Sequence, residues 1–185
     1  MTDFFDTLRL TISATVITDI KGEELDFDEA FATVIRWATT DRNLHGKVIF
    51  IGNGGSAAIA SHMANDWLKN GGYRAMCFND GAALTCLGND TGFDNVFSIP
   101  VDRFATHADM LVAISSSGKS ENILRGVAAA HKRSSRVVTF SGFDDDNPLR
   151  KCGHINFHVP SNSYGIVEVS HLAIIHAMLD QAMRP

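Results

Sequence analysis

The sequence predicts an α/β fold built on a parallel sheet. From Lys47 onward, five apolar runs of strand length alternate with helical patterns. The runs are apolar throughout rather than at every second residue, and Gly/Ser-rich turns separate them from the helices that follow. Strands covered on both faces read as continuous apolar runs, and β–α alternation joins such strands in parallel.

The five runs are Val48–Ile51, Ala75–Phe78, Met110–Ile114, Val137–Phe140 and Ile155–Val159. Helical stretches are expected at roughly 56–69, 80–89, 120–133 and 146–152, with a last helix over 164–183. Two helices precede the first strand. Phe4, Phe5, Leu8, Ile12, Val16 and Ile20 make one stripe at three- and four-residue steps, with Gly22 as its stop. Asp26 reads as the N-cap of the second, whose apolar face is Phe27, Phe31, Val34, Ile35 and Ala38. These helices and the last one are more apolar than a lone chain needs, which predicts an oligomer. With no repeat or linker, residues 1–185 read as one domain, long enough for a full core.

A chain that is 45% apolar and 20% charged reads as a soluble globular protein. A net charge of −5 argues against a nucleic-acid surface, which needs a basic footprint. A small anion remains possible, since a few backbone N–H groups suffice to hold one. Cys77, Cys86 and Cys152 lack CxxC spacing, as expected of free thiols in a reducing compartment. The first residues carry acids rather than the positive charge of a signal peptide, and no apolar run approaches the roughly 20 residues of a membrane span. The expected location is the cytoplasm.

Two strand-end loops stand out. Gly52-Asn53-Gly54-Gly55-Ser56 follows the first run and opens a helix. Its glycines allow close backbone approach to a ligand, although a plain β–α turn would use them too. Ser115-Ser116-Ser117-Gly118-Lys119-Ser120 follows the third run. One hydroxyl there can serve as an N-cap; the others have no capping role, and with the helix start they can hold a phosphate. The second loop lacks Walker A spacing, and neither loop has GxGxxG spacing, so a nicotinamide enzyme is disfavoured.

His62 and Asp66 lie four residues apart on the helix after the first loop, and so share a face. Glu168 and His176, eight residues apart with His171 between them, share a face of the last helix. Two imidazoles and two carboxylates of this kind can hold zinc or move protons.

Together, the Gly52–Ser56 loop with Ala57–His62, Gly88-Asn89-Asp90 and Ile114–Ser120 resemble the sugar isomerase (SIS) domain family, in its phosphoheptose isomerase branch. The resemblance implies a five-stranded parallel sheet in flavodoxin-like order. It also implies a homotetramer with the terminal helices at its interfaces. The implied reaction converts sedoheptulose 7-phosphate to D-glycero-D-manno-heptose 7-phosphate through an enediol, the first step toward activated heptose for lipopolysaccharide or capsule. Phosphate would lie on Ser115, Ser116, Ser117 and Ser120. Asn53, Gly54, Ser56, Asp90 and Glu168 would contact substrate. Zinc would sit among His62, Asp66, Glu168 and His176, with Asp66 and His176 as the proton-transfer pair.

Two positions depart from the family: Asp66 stands where it has Glu, and Glu168 where it has Gln. The shorter Asp withdraws its carboxylate by about 1.5 Å, a shift that can cost about 100-fold in rate. Glu168 adds a negative charge, which favours a divalent cation. The alternatives are a non-catalytic SIS protein that binds a sugar phosphate or a replication-initiator protein, or an isomerase of another sugar phosphate.

Overall fold

The computed structural model describes residues 2–43 and 45–184, without the side chains of 41–43. Its sheet has six strands: Val16–Asp19 (β1), Lys47–Gly52 (β2), Arg74–Cys77 (β3), Met110–Ser115 (β4), Arg136–Ser141 (β5) and Ile155–His158 (β6). They lie in the order β1-β6-β5-β4-β2-β3. β2 to β6 are parallel, and β1 runs antiparallel against β6. Without β1, this is the expected flavodoxin-like order of five parallel strands.

β1 corrects the sequence reading, which ran one helix from Phe4 to Ile20. The first helix, Thr2–Ser13 (α1), stops earlier. Val16, Ile17 and Thr18 are β-branched and favour a pleated backbone. As a strand they cover the open edge of β6 and bury Ile17 in the core. Val16 and Ile20 fall four residues apart by coincidence, which lengthened the apparent stripe. Gly22 does not end a helix; it takes φ +84° in the turn after β1, where its N–H donates to the Asp19 carbonyl at 3.1 Å.

The remaining helices are Phe27–Asn43 (α2), Gly55–Lys69 (α3), Gly81–Thr91 (α4), Ser98–Phe104 (α5), Glu121–Lys132 (α6) and Tyr164–Ala182 (α7). Asp26 caps α2 as expected: its carboxylate accepts from Asp28 N–H at 2.9 Å and Glu29 N–H at 3.1 Å. The segment expected as a helix at 146–152 is a 3-10 turn, Pro148–Lys151, capped by Asn147. α5 was not foreseen. None of these helices is long and apolar enough to cross a membrane.

Alternate residues of each strand feed two cores. Val48, Phe50, Met110, Val112 and Ile114 face α2, α3 and α7. Ile49, Ile51, Leu111 and Ala113 face α5 and α6. Each large apolar side chain buried this way stabilises the fold by about 1.5–3 kcal/mol. α3 and α6 therefore pack on opposite faces of the sheet. β2 and β4 are neighbours, but the chain leaves β2 toward β3 on one side and β4 toward β5 on the other. The crevice above their carboxyl ends is the topological switch point, where open α/β sheets bind ligands.

Below that crevice two histidines are buried. His171 Nε2 lies 3.0 Å from the Ser141 carbonyl, and His158 Nδ1 lies 3.3 Å from the Ser141 hydroxyl. Burial lowers both to about 4, with nearby Arg150 adding to the effect at His158. An unfolded histidine titrates near 6.5, so between about pH 6.5 and 4 the unfolded chain binds more protons than the folded one. Stability is then full above pH 6.5 and falls as pH drops through that window. Urea titrations at pH 7.5, 6.5 and 5.5 are expected to show stability falling with pH, with the slope reduced by about one proton in His171→Asn. A flat profile would refute the assignment.

Candidate functional site

The loops after β2 and β4 meet at the switch point and, with the start of α7, enclose a cleft of about 250 Å³. Asn53, Gly54, Gly55, Ser56, Ser115, Ser116, Ser117, Ser120, Tyr164 and Glu168 line it. Three helix N-termini therefore open on one space. α3 begins after Gly54, α6 after Ser120 and α7 after Ser163, and none of these three residues makes a side-chain capping bond. α4, by contrast, is capped by Asp80, whose carboxylate accepts from Ala83 N–H at 2.8 Å. α5 is also uncapped but lies elsewhere, so an open end alone is unremarkable. Convergence of three such ends gathers free N–H groups and three partial positive charges, a favourable setting for an anion.

The hydroxyls add to this. The Ser116 hydroxyl is buried without a partner, and Ser115 and Ser120 Oγ lie 3.4 Å apart. Ser117 Oγ accepts only from Lys119 N–H, at 3.3 Å. Gly118 makes the turn possible: its φ is +63°, and a Cβ there would run into the Asn147 side chain. The cleft lining contains no lysine or arginine. Lys119 belongs to the loop but pairs with Asp144 at 2.5 Å, which holds its ammonium above the ordinary lysine range. An anion here would meet dipoles and hydroxyls rather than a cationic side chain.

Glu168 enters the cleft against Gly55, where its carboxylate occupies the space a Cβ would need. A side chain at residue 55 would have to displace that carboxylate. A negative charge at the start of α3 suits the helix dipole and also sits where a bound anion would feel it.

His62, Asp66 and His176 form a second cluster on the outer side of α3 and α7. His62 Nε2 lies 3.1 Å from His176 Nε2 and 3.5 Å from an Asp66 carboxylate oxygen. His176 Nδ1 lies 3.9 Å from that same oxygen. One ligand atom from each residue falls within 4.8 Å of the others, the only such group of three or more among the described residues. Zinc–nitrogen bonds of 2.0–2.1 Å imply tetrahedral ligand edges of about 3.3 Å. The three residues offer the donor types zinc takes, at separations reaching somewhat wider than that edge.

Glu168 is not in this cluster, contrary to the four-ligand expectation. Eight residues along a helix advance about 12 Å, so sharing a face with His176 does not mean sharing a site. Asp90 is likewise apart from the cleft. It is exposed on α4, where Asn89 Nδ2 donates to it at 2.9 Å and the Cys86 thiol lies at 3.5 Å. His171 points into the core. Sequence reasoning missed Tyr164 and Asn122, and named Gly55 only as part of its loop. Asn122 and Asn53 exchange two hydrogen bonds, at 2.8 and 2.9 Å. A signal for it existed: Asn122, Gly126 and Ala130 recur at four-residue steps on the buried face of α6, and only the first is polar.

Comparison with known proteins agrees with this geometry. The SIS domain family matches residues 20–142. Phosphoheptose isomerase of Escherichia coli K12 is 30% identical over 176 residues, spanning 83% of this chain and 91% of that protein. The structure of phosphoheptose isomerase from Neisseria gonorrhoeae superposes with a TM-score of 0.76 at 34% identity, over 83% of this chain and 85% of that one. The Francisella tularensis phosphoheptose isomerase gives 0.75 at 28%, with the same coverage. With a cleft at the switch point lined by two serine- and glycine-rich loops, and relatives of this kind, the chain belongs to the SIS domain family, in its phosphoheptose isomerase branch.

Proposed function

We propose that this chain is an aldose–ketose isomerase that converts sedoheptulose 7-phosphate to D-glycero-D-manno-heptose 7-phosphate. The observation that carries this reading is the spacing of cleft and cluster. Gly55 meets Glu168, and His62 meets His176, so α3 and α7 run side by side in the same direction. Seven residues on α3 and eight on α7 separate the cleft from the cluster, about 10–12 Å of helix. From the phosphorus of an extended heptose 7-phosphate to C2 is about 9 Å, from ordinary bond lengths. A phosphate in the cleft would bring C1 and C2 toward the cluster, whereas a pentose 5-phosphate would end about 2.5 Å sooner.

In this reading Ser115, Ser116, Ser117 and Ser120 and the open N–H groups hold the phosphate, and Asn53, Gly54 and Ser56 border the chain of the sugar. Asp66 and His176 are the proton-transfer pair. One takes a proton from C1 of the ketose as the C1–C2 enediol forms, and a proton is then returned to C2. The hydroxyl proton moves from O1 to O2 as the carbonyl transfers from C2 to C1. His62, Asp66 and His176 would hold zinc, which when bound supplies a Lewis acid for the carbonyl. Apolar side chains left exposed on α1, among them Phe4, Phe5 and Leu10, support assembly with further copies, read here as a homotetramer.

Purified protein is expected to contain zinc and to turn over sedoheptulose 7-phosphate, with turnover lost on chelation and restored by zinc. Metal-loaded protein without turnover would sink the reading. Asp66→Asn and His176→Ala are expected to lower kcat by about 100-fold or more, and His62→Ala to lower zinc content.

Ser117→Ala and Ser120→Ala should each raise KM by about tenfold with a smaller change in kcat. Glu168→Gln should tighten inorganic phosphate by about fivefold, because it removes a like charge from the cleft. Calorimetric titration reads the last effect, and weaker binding would mean that Glu168 assists the anion.

A further inference from the structure

The two loops of the cleft belong to distant segments, and their helices pack on opposite faces of the sheet. For α3 and α6 to direct their N–H groups at one anion, something must fix the distance between their starts. The backbone ladder does so only as far as Gly52 on β2 and Ile114 on β4. Beyond the strands, the two paths diverge over the crest of the sheet.

Asn53 and Asn122 bridge that crest. Asn53 Nδ2 donates to Asn122 Oδ1 at 2.8 Å, and Asn122 Nδ2 donates to Asn53 Oδ1 at 2.9 Å. Asn122 is 3% exposed, and its Oδ1 also accepts the Ile123 N–H at 3.0 Å, which ties the amide to its own helix. Asn53 is half-buried and lines the cleft. A primary amide has two N–H donors and two acceptor lone pairs. The reciprocal pair uses one of each on Asn53 and leaves one of each for the cleft. It also fixes the amide's orientation, because a flipped Asn53 would set oxygen against oxygen and N–H against N–H.

We propose that Asn122 is a positioning residue for the cleft. Through Asn53 it sets the spacing and orientation of the α3 and α6 N-termini around the bound phosphate. The inference rests on reading the cleft as a phosphate site. Asn122 does not line the cleft and acts only through its partner. A purely structural Asn122 would be needed for stability, but phosphate affinity well below the melting temperature would not depend on it.

The test is a double-mutant cycle on the full chain with inorganic phosphate as the probe, read by isothermal titration calorimetry alongside thermal midpoints. Asn53→Ala and Asn122→Ala are each expected to weaken phosphate by about tenfold, as for lost hydrogen bonds in a desolvated site. The double variant should be no more than about twofold weaker than Asn53→Ala, since coupled residues are not additive. Asn122→Ser keeps a small polar group at the buried position and covers the case in which the alanine variant does not fold; it should weaken phosphate by several-fold. Affinity within twofold of the unmodified chain in a folded Asn122 variant, or losses that multiply in the double variant, would overturn the proposal. If the unmodified chain does not bind phosphate, the phosphate reading of the cleft falls, and this proposal with it.

Discussion

The convergence of three open helix N-termini on one cleft is the constraint around which the rest is arranged. Each end leaves N–H groups that the helix itself cannot satisfy. Their side-chain caps are absent at α3, α6 and α7 and present at α2 and α4. The requirement that three helices approach so closely dictates the local residues. Small hydroxyl side chains fill the loop after β4, glycine stands at 55 where the Glu168 carboxylate rests, and glycine at 118 makes the left-handed turn beside Asn147. Because dipoles supply the field, the cleft does without a cation in its lining. A chain of net negative charge can thus offer an anion site.

The second cluster is organised differently. His62, Asp66 and His176 come from the middle of α3 and the later half of α7, and their relation is set by two helices running in register. His62 is 52% exposed on its side chain and His176 36%, far more open than the serine loop. One part of the site is therefore made mostly by backbone and the other wholly by side chains. The helix rise between them acts as a ruler for what can bind both.

Much of this was legible in the sequence, for physical reasons that differ by element. The five parallel strands announced themselves because burial on both faces demands continuous apolar runs. The cleft residues were legible because glycine and serine crowded at a strand end have few other uses. β1 was not, since Val16 and Ile20 happen to continue a helical stripe and only the open edge of β6 makes a strand of Val16–Asp19. α5 escaped because Pro100 sits within a short segment that reads as a loop, although proline is tolerated in a first turn. Glu168 was misplaced through a different error: angular phase on a helix was used without axial rise. Asn122 required a view of the buried face of α6, where one polar residue among small apolar ones marks a bond made elsewhere.

The division between backbone and side chain also bears on how such a protein changes over time. A backbone N–H survives every replacement except proline so long as the path of the chain survives. The backbone part of the anchor thus survives most single replacements, although its serine hydroxyls do not, while the cluster on α3 and α7 can be altered by any one of them. A scaffold of this kind can keep its grip on phosphorylated molecules while its chemistry drifts, so that new reactions arise on an inherited handle.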